Sequence, residues 1–368
     1  MDDVKRFKEA PVAHDNLTTA VNTLVQHIQV PVAPLILVYG PSHVGKTTLR
    51  NIVTKKIMAL SQEQVEGDPS YIPIVSMSVM ASPNGVFDLT DLYVPLLTKL
   101  GDPVCLRRRA IYPTTLFGDV EDVYPEGEQR KPRELRRVAI NLLKRRRPMA
   151  VIIDEAQHMS KVGSGKRIHS QLDYIKSLVD EAGVPFILIG TYELLAFRDL
   201  GDQLNNRSVD VHFPRYEPEG SDLLKFRDSL YTMSQHMNVA KDFDIWANWE
   251  YMYERSLGCI GSLKMWLTAA YSLALGTQDK VLRKKHLDAT AKSTEQLVTM
   301  AKEIVEGERS VAGCATNVTK LRQLIGLDKQ STRKDDADVE PGTKKSNPKG
   351  NVGDRNAYRD AVGAAVGA

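Results

Sequence analysis

Residues 40 to 48, Gly-Pro-Ser-His-Val-Gly-Lys-Thr-Thr, satisfy the pattern G-x-x-x-x-G-K-[ST] and directly follow five apolar residues, Leu35 to Tyr39. A loop wraps a chain of phosphates only if successive backbone N–H groups turn inward, and Gly40 and Gly45 permit that geometry. Pro41, Ser42, His43 and Val44 then form the cradle, Lys46 reaches the β- and γ-phosphates, and Thr48 continues into the following helix. Thr47 offers a hydroxyl to Mg²⁺, and a helix opening near Lys46 points the positive end of its dipole at the anion. A glycine-rich surface turn is the plainer alternative, so the rest of the chain has to decide.

At 368 residues with 42% hydrophobic content, the chain has room for one large or two ordinary domains with a real core. Its three cysteines, Cys105, Cys259 and Cys314, are widely spaced and odd in number, which suggests neither a disulfide framework nor a zinc site. No run of eighteen apolar residues occurs, and the Met-Asp-Asp start lacks the basic and apolar regions of a signal peptide. A soluble protein inside the cell is expected, with no membrane partner. Net charge is only +3, so any nucleic-acid binding has to come from a local patch.

Strand and helix patterns alternate. Leu17, Val21, Leu24, Val25 and Ile28 recur at helical spacing. The P-loop helix runs to about residue 60, residues 71–79 suit a strand, and 88–100 suit a helix stopped by Gly101. A helix over about 132–147 precedes a buried-type strand at 150–153. A helix carrying Ile168, Leu172, Ile175 and Leu178 leads to strands at 185–189 and 209–213. This order predicts an α/β fold with a parallel sheet covered on both faces. After Pro214, Pro218 and Gly220 the pattern is helical only, over 222–237, 245–256, 262–275 and 285–305. The expected organisation is therefore a helical segment at 1–30 packing on the core, a nucleotide-binding core at 31–214, an α-helical lid at 215–310 and a C-terminal segment at 311–368. Within the last, 328–368 has too few large apolar residues to offset its ordering entropy and is expected to be disordered.

Val-Ile-Ile-Asp-Glu at 151–155 is the second chemical signal. In a P-loop ATPase a carboxylate ending a buried strand holds the Mg²⁺ shell, and the next orients the attacking water. Asp154 takes the first part and Glu155 the second. Thr191 follows the strand at 185–189, where a polar side chain either touches the γ-phosphate or caps the next helix. Arg207 lies just before the last strand, either as a solvated loop residue or as a guanidinium delivered across a subunit interface to a transferring phosphoryl group.

Taken in order, Gly40–Thr48, Leu100-Gly101-Asp102-Pro103, Ile152-Ile153-Asp154-Glu155-Ala156-Gln157-His158, Leu188-Ile189-Gly190-Thr191, Gln203-Leu204 with Arg207, and Ile260-Gly261-Ser262-Leu263 resemble the TniB/TnsC family of AAA+ transposition regulators, related in function to MuB. The resemblance covers roughly residues 10 to 275. It implies a five-stranded P-loop AAA+ core with a small helical lid, using ATP and Mg²⁺ in slow, regulatory hydrolysis. It also implies a homo-oligomeric ring or helical filament on double-stranded DNA in the bacterial cytoplasm, recruiting a transposase and meeting a TniQ-like target-selection protein. Thr191 matches the family's sensor 1 and Arg207 its arginine finger. Where family members often carry a sensor-2 arginine after Ile-Gly, this chain has Ser262, with Lys264 two residues on.

Between Gly101 and Ala150 twelve Lys/Arg face seven Asp/Glu, a larger excess than that of the whole chain. Arg107, Arg108 and Arg109, with Thr114 and Thr115, are candidates for phosphate contacts, and the resemblance places them in the DNA-facing segment. Lys166 and Arg167 are further candidates. Lys144–Arg147 ends a helix, where cations favour the dipole's negative end. Two other classes compete: a small-molecule P-loop kinase, which needs an acceptor-binding lid, and a signalling NTPase switch without DNA-dependent assembly.

Overall fold

A computed structural model describes residues 2–9, 12, 14–80, 85–102, 131–160, 165–199, 208–316, 322 and 325–327. The chain divides into two compact units, Met1–Thr316 and Asn317–Ala368, and only 322 and 325–327 of the second are described. The tail at 328–368, expected to be disordered, lies outside the described residues.

In the first unit, α1 (Asp2–Glu9) and α2 (Asp15–Gln29) precede β1 (Leu35–Tyr39), α3 (Lys46–Leu60), α4 (Gln62–Gly67) and β2 (Ile74–Ser78). Then come α5 (Leu89–Lys99), α6 (Pro132–Arg146), β3 (Ala150–Asp154), α7 (Gly165–Ala182), β4 (Phe186–Gly190), α8 (Leu195–Asp199) and β5 (Ser208–His212). All strand pairs are parallel, in the order β2-β3-β4-β1-β5. Every residue of β1, β3 and β4 is buried, which is why these strands read as unbroken apolar runs. Alternate side chains serve two cores. Leu35, Leu37, Val151, Ile153 and Leu188 pack against α5, α6 and α7, while Ile36, Val38, Ile152 and Ile187 face α2 and α3. Leu49, Val53 and Ile57 give α3 its apolar stripe at a spacing of four. Five parallel strands flanked by helices are thus observed where the alternating pattern predicts them.

In register, Tyr39 of β1 stands opposite Gly190 and His212, and Ser78 opposite Asp154. The carboxyl ends of the central strands therefore finish along one edge. In open α/β sheets ligands bind at that edge.

Beyond β5 the described residues form only helices and connections, apart from one isolated bridge between Val239 and Leu282. The helices are α9 (Gly220–Ser234), α10 (Trp249–Ser256), α11 (Ile260–Leu275), α12 (Lys284–Thr290) and α13 (Thr294–Thr316). Phe226, Leu230 and Met233 of α9 bury against Leu263, Leu267 and Tyr271 of α11, and Phe7 of α1 joins them, its ring 6.1 Å from that of Tyr271. One expected helix, 285–305, is instead two. Ala291 is extended, and Ser293 restarts the helix with a capping box: its Oγ accepts from the Gln296 N–H at 3.3 Å, and Gln296 Oε1 accepts from the Ser293 N–H at 3.1 Å. A Ser-x-x-Gln cap inside an apolar periodicity outweighs the periodicity. No described helix is long and apolar enough to cross a membrane.

Candidate functional site

Gly40 leaves β1 at the ligand edge, and the loop turns through His43 (φ 58°) and Gly45 (φ 122°), which sits as N-cap of α3. A side chain at Gly45 would be strained in that conformation. Lys46 begins α3 and is 6% exposed. Its Nζ donates to the carbonyls of Gly40 (3.1 Å) and Pro41 (2.7 Å). Burial pushes the ammonium down to about 8, against the opposing pull of Glu155 and Asp154. The loop thus holds a cation whose hydration has been replaced by two neutral carbonyls, an arrangement that favours an incoming anion.

Thr47 Oγ1 donates to Asp154 Oδ2 at 3.1 Å. Asp154 is 1% exposed, and burial pushes its carboxyl up despite the Arg50 guanidinium at 3.3 Å. Arg50, one turn along α3, also donates to Ser78 Oγ at 2.5 Å, tying the ends of β2 and β3 to the P-loop helix. A hydroxyl beside a carboxylate, with no cluster of three or more His, Cys, Asp or Glu among the described residues, fits a hard cation that takes its other oxygens from phosphate and water. Thr47 and Asp154 can therefore hold Mg²⁺ together with a bound nucleotide.

Glu155 follows β3 in a left-handed conformation (φ 56°), which costs a non-glycine residue about 1 kcal/mol. The turn is stabilised by the Glu155 N–H donating to Asp154 Oδ1 at 3.0 Å. On the neighbouring strand, Thr191 opens a 3₁₀ turn without capping it, so the alternative capping role is not the one its side chain plays. Its Oγ1 is buried and finds no hydrogen-bond partner among the described residues, an orphan donor that a phosphate oxygen would satisfy. Between the two lies Gln157, hydrogen-bonded to both.

These groups converge on a cavity of about 330 Å³ lined by Ser42, His43, Gly45, Lys46, Thr47, Thr48, Glu155, Gln157, Thr191 and Gly261. Gly261 belongs to the first turn of α11. A Cβ there would lie 2.2 Å from the His43 carbonyl oxygen, and that same oxygen accepts the Ser262 N–H at 3.0 Å. A second cavity of about 510 Å³ shares Gly45, Thr48 and Gly261 with the first. Leu17, Val21, Val44 and Ile260 wall it, and Lys264 lies at its border. An apolar slot beside a phosphate-type loop suits a nucleobase. Lys264, the nearest sequence alternative to a sensor-2 arginine, thus lines this slot and is not among the residues of the phosphate cavity.

The sequence-predicted residues Gly40, Pro41, Ser42, His43, Val44, Gly45, Lys46, Thr47, Thr48, Asp154, Glu155 and Thr191 are all placed at this edge. Arg207, Arg107, Arg108, Arg109, Thr114 and Thr115 lie outside the described residues. Lys166 and Arg167 stand in the first turn of α7, their side chains likewise undescribed. At the end of α6, Arg146 donates to the Leu100 and Ser70 carbonyls at 3.2 and 3.1 Å, and Arg147, a left-handed C-cap, pairs with Asp68. Those two arginines have structural partners. Sequence patterns assign no part to Arg50, Gln157 or the backbone of Gly261 and Ser262. Gln157, Gly261 and Ser262 stand within motifs quoted above, while Arg50 carries no local signal.

Residues 32–197 match a family model described as AAA domain. No curated protein matches the chain. Among solved structures, the Aeropyrum pernix ORC1 protein in complex with DNA is similar at 15% identity with a TM-score of 0.54. That match covers 76% of this chain and 65% of the other, so the chain spans somewhat under two thirds of that relative. The Aeropyrum pernix ORC2 protein, solved as ADPNP-ADP complexes, is similar at 13% identity and a TM-score of 0.49, over 75% and 67% of the two chains. Domain III of the Thermotoga maritima replication initiation protein DnaA is similar at 13% identity and a TM-score of 0.43, over 77% and 94%. With the parallel five-stranded sheet and the P-loop at its ligand edge, the chain has the AAA+ P-loop fold.

Proposed function

We propose that this protein is a Mg²⁺-dependent ATPase that assembles as a homo-oligomer on duplex DNA and regulates DNA transposition, recruiting a transposase and linking it to a TniQ-like target-selection factor in the bacterial cytoplasm. The observation that carries the ATPase part is the convergence of buried Lys46, the Thr47–Asp154 pair, Glu155 and the orphaned Thr191 hydroxyl on one cavity. The DNA part draws on the ordered motifs shared with TniB/TnsC proteins and on the fold shared with an ORC1 protein solved with DNA.

In this reading the P-loop amides and Lys46 bind the phosphates. Thr47 and Asp154 would hold Mg²⁺, which would supply charge neutralisation at the phosphates. Glu155 takes the proton of the attacking water as the bond to the leaving ADP oxygen breaks, and Thr191 contacts the γ-phosphate. Arg207, from a neighbouring subunit, stabilises the transferring charge. Arg107, Arg108, Arg109, Thr114 and Thr115, with Lys166 and Arg167, bind DNA phosphates.

Mixing the ATP-loaded Glu155→Gln protein with duplex DNA tests this reading by electron microscopy and salt titration. Rings or filaments that need both ATP and DNA are expected. Changing Arg107, Arg108 and Arg109 together to Ala should lower the salt slope by up to about 0.9 for each phosphate no longer neutralised, equally on unrelated sequences. ATP binding without any DNA-dependent assembly would leave a nucleotide switch and remove the transposition reading.

A further inference from the structure

Gln157 lies on the 3₁₀ turn Ala156–Ser160 that follows Glu155 and is 5% exposed. Both ends of its carboxamide are engaged. Nε2 donates to Glu155 Oε2 at 2.6 Å, and Oε1 accepts the backbone N–H of Thr191 at 3.3 Å. The orientation is forced by chemistry, because an ionised carboxylate can only accept and an amide N–H can only donate. The flipped amide would set oxygen against oxygen and N–H against N–H. On one side the amide is also closely packed: a Cβ on residue 190 would lie 2.5 Å from Oε1, so the end of β4 lies directly against it. The turn itself is closed by Ser160 Oγ donating to the Gln157 carbonyl at 2.7 Å. Glu155, meanwhile, has an unfavourable φ of 56° and a side chain 44% exposed, and beside the 2.6 Å bond from Gln157 its Oε2 meets only the longer contact of His158 Nε2 at 4.0 Å among the described residues, so Gln157 is the stronger hold on its carboxylate.

We infer that Gln157 is a positioning residue that couples the hydrolytic carboxylate to the sensor turn: it aims Glu155 and transmits to it the position of Thr191. The inference rests on the ATPase reading above. The backbone N–H of Thr191 belongs to the residue whose hydroxyl has no partner among the described residues, so a γ-phosphate drawing on that hydroxyl also shifts the N–H that anchors Oε1. Through one rigid amide the shift reaches Glu155 Oε2. A nucleotide lacking the γ-phosphate makes no such pull, and the chemistry is thereby tied to the triphosphate state.

Two variants of nearly equal volume separate this role from packing. Gln157→Met keeps the bulk and neither hydrogen bond. Gln157→Glu keeps an acceptor for Thr191 and loses the donor to Glu155. In the full-length protein with radiolabelled ATP under single-turnover conditions, both should hydrolyse about 10- to 100-fold more slowly, the scale of loss for a misplaced catalytic group. The Kd for a fluorescent ATP analogue should stay within about twofold of the wild type, since the P-loop contacts are untouched. In a Glu155→Gln background, Gln157→Met should cause no further loss, because two residues acting as one unit are not additive. A Gln157→Met protein hydrolysing within about twofold of wild type overturns the inference. So does a parallel loss of rate and affinity, or a full additional loss in the Glu155→Gln background. If the wild type itself shows no hydrolysis beyond that of Lys46→Ala, the ATPase reading has failed, and the inference falls with it for a separate and recognisable reason.

Discussion

On the sheet side of the cavity each polar group comes from a residue at or just after a strand end, or from the first turn of α3, and each acts through its own chemistry. Lys46 supplies charge, Thr47 and Asp154 oxygen ligands, Glu155 a carboxylate and Thr191 a hydroxyl. On the helical side, α11 contributes Gly261 and the Ser262 N–H, and what matters there is the absence of a side chain and one backbone bond to His43. The two walls meet at the P-loop backbone, most closely at the His43 carbonyl oxygen. One wall is specified by residue type at fixed spacing, the other by how closely two distant segments approach, and they should fail differently when altered.

The largest expected effect is on the sheet side. Lys46→Ala should abolish ATP binding, read by loss of fluorescence change with an ATP analogue. Its pH signature is a sharper probe. In the unfolded chain the ammonium stays protonated to about 10.5, but in the fold only to about 8. The unfolded state therefore binds more protons between those values, and stability rises with pH across that window. The difference in denaturation midpoint between wild type and Lys46→Ala should thus shift in favour of wild type from pH 8 to 10, in the absence of nucleotide. A difference that stays flat would mean the lysine is hydrated. Taking the difference removes the contributions of titrating groups that do not interact with Lys46.

The helical side should respond less and without loss of chemistry. Gly261→Ala places a methyl group 2.2 Å from the His43 carbonyl and must lift the start of α11 from the P-loop. Such overpacking costs about 1–3 kcal/mol, which corresponds to roughly 5- to 150-fold weaker nucleotide binding if the closed cavity is what binds. Single-turnover hydrolysis at saturating ATP should remain within about threefold of wild type. Gly67→Ala, where added bulk meets nothing within 4 Å, is the control and should change neither. A Gly261→Ala protein with normal affinity would show that α11 does not form part of the bound site.

The same contrast explains what could be read from the sequence. The P-loop, the Asp154-Glu155 strand end and the alternation of strands with helices are local patterns whose physical cause lies within a few residues, so the fold class and the sheet wall were legible. Arg50 reaching Asp154, Gly261 meeting His43 and the apolar slot beside the P-loop all depend on segments brought together only by the finished fold. The break at Ala291–Ser293 is local and still escapes a reading by periodicity, because the apolar spacing runs through it while a Ser-x-x-Gln cap is a weak sequence signal until its two hydrogen bonds form.

The smallest effect should fall on the far anchor of the helical side. Arg215, just beyond β5, forms a fork with Glu308 of α13, Nε to Oε1 at 2.8 Å and Nη2 to Oε2 at 3.1 Å, and its third nitrogen reaches Tyr253 Oη and the Leu257 carbonyl at 3.3 and 3.4 Å. Glu308 holds the guanidinium more firmly protonated than usual through this bidentate contact. The pair is partly exposed, so solvent screening reduces its net worth to about 1 kcal/mol. Next to it, Gly307 lets α13 lie directly on Tyr192, beside Thr191. If α13 only stabilises the helical side, Glu308→Gln and Arg215→Lys should each lower the unfolding midpoint by a few degrees, with a double-mutant coupling of about 1 kcal/mol, and leave nucleotide affinity and single-turnover rate unchanged. A change in rate without a change in stability would instead show that the contact of α13 with the turn at Tyr192 bears on the chemistry, and the line between the two walls would have to be redrawn to place α13 with the sheet.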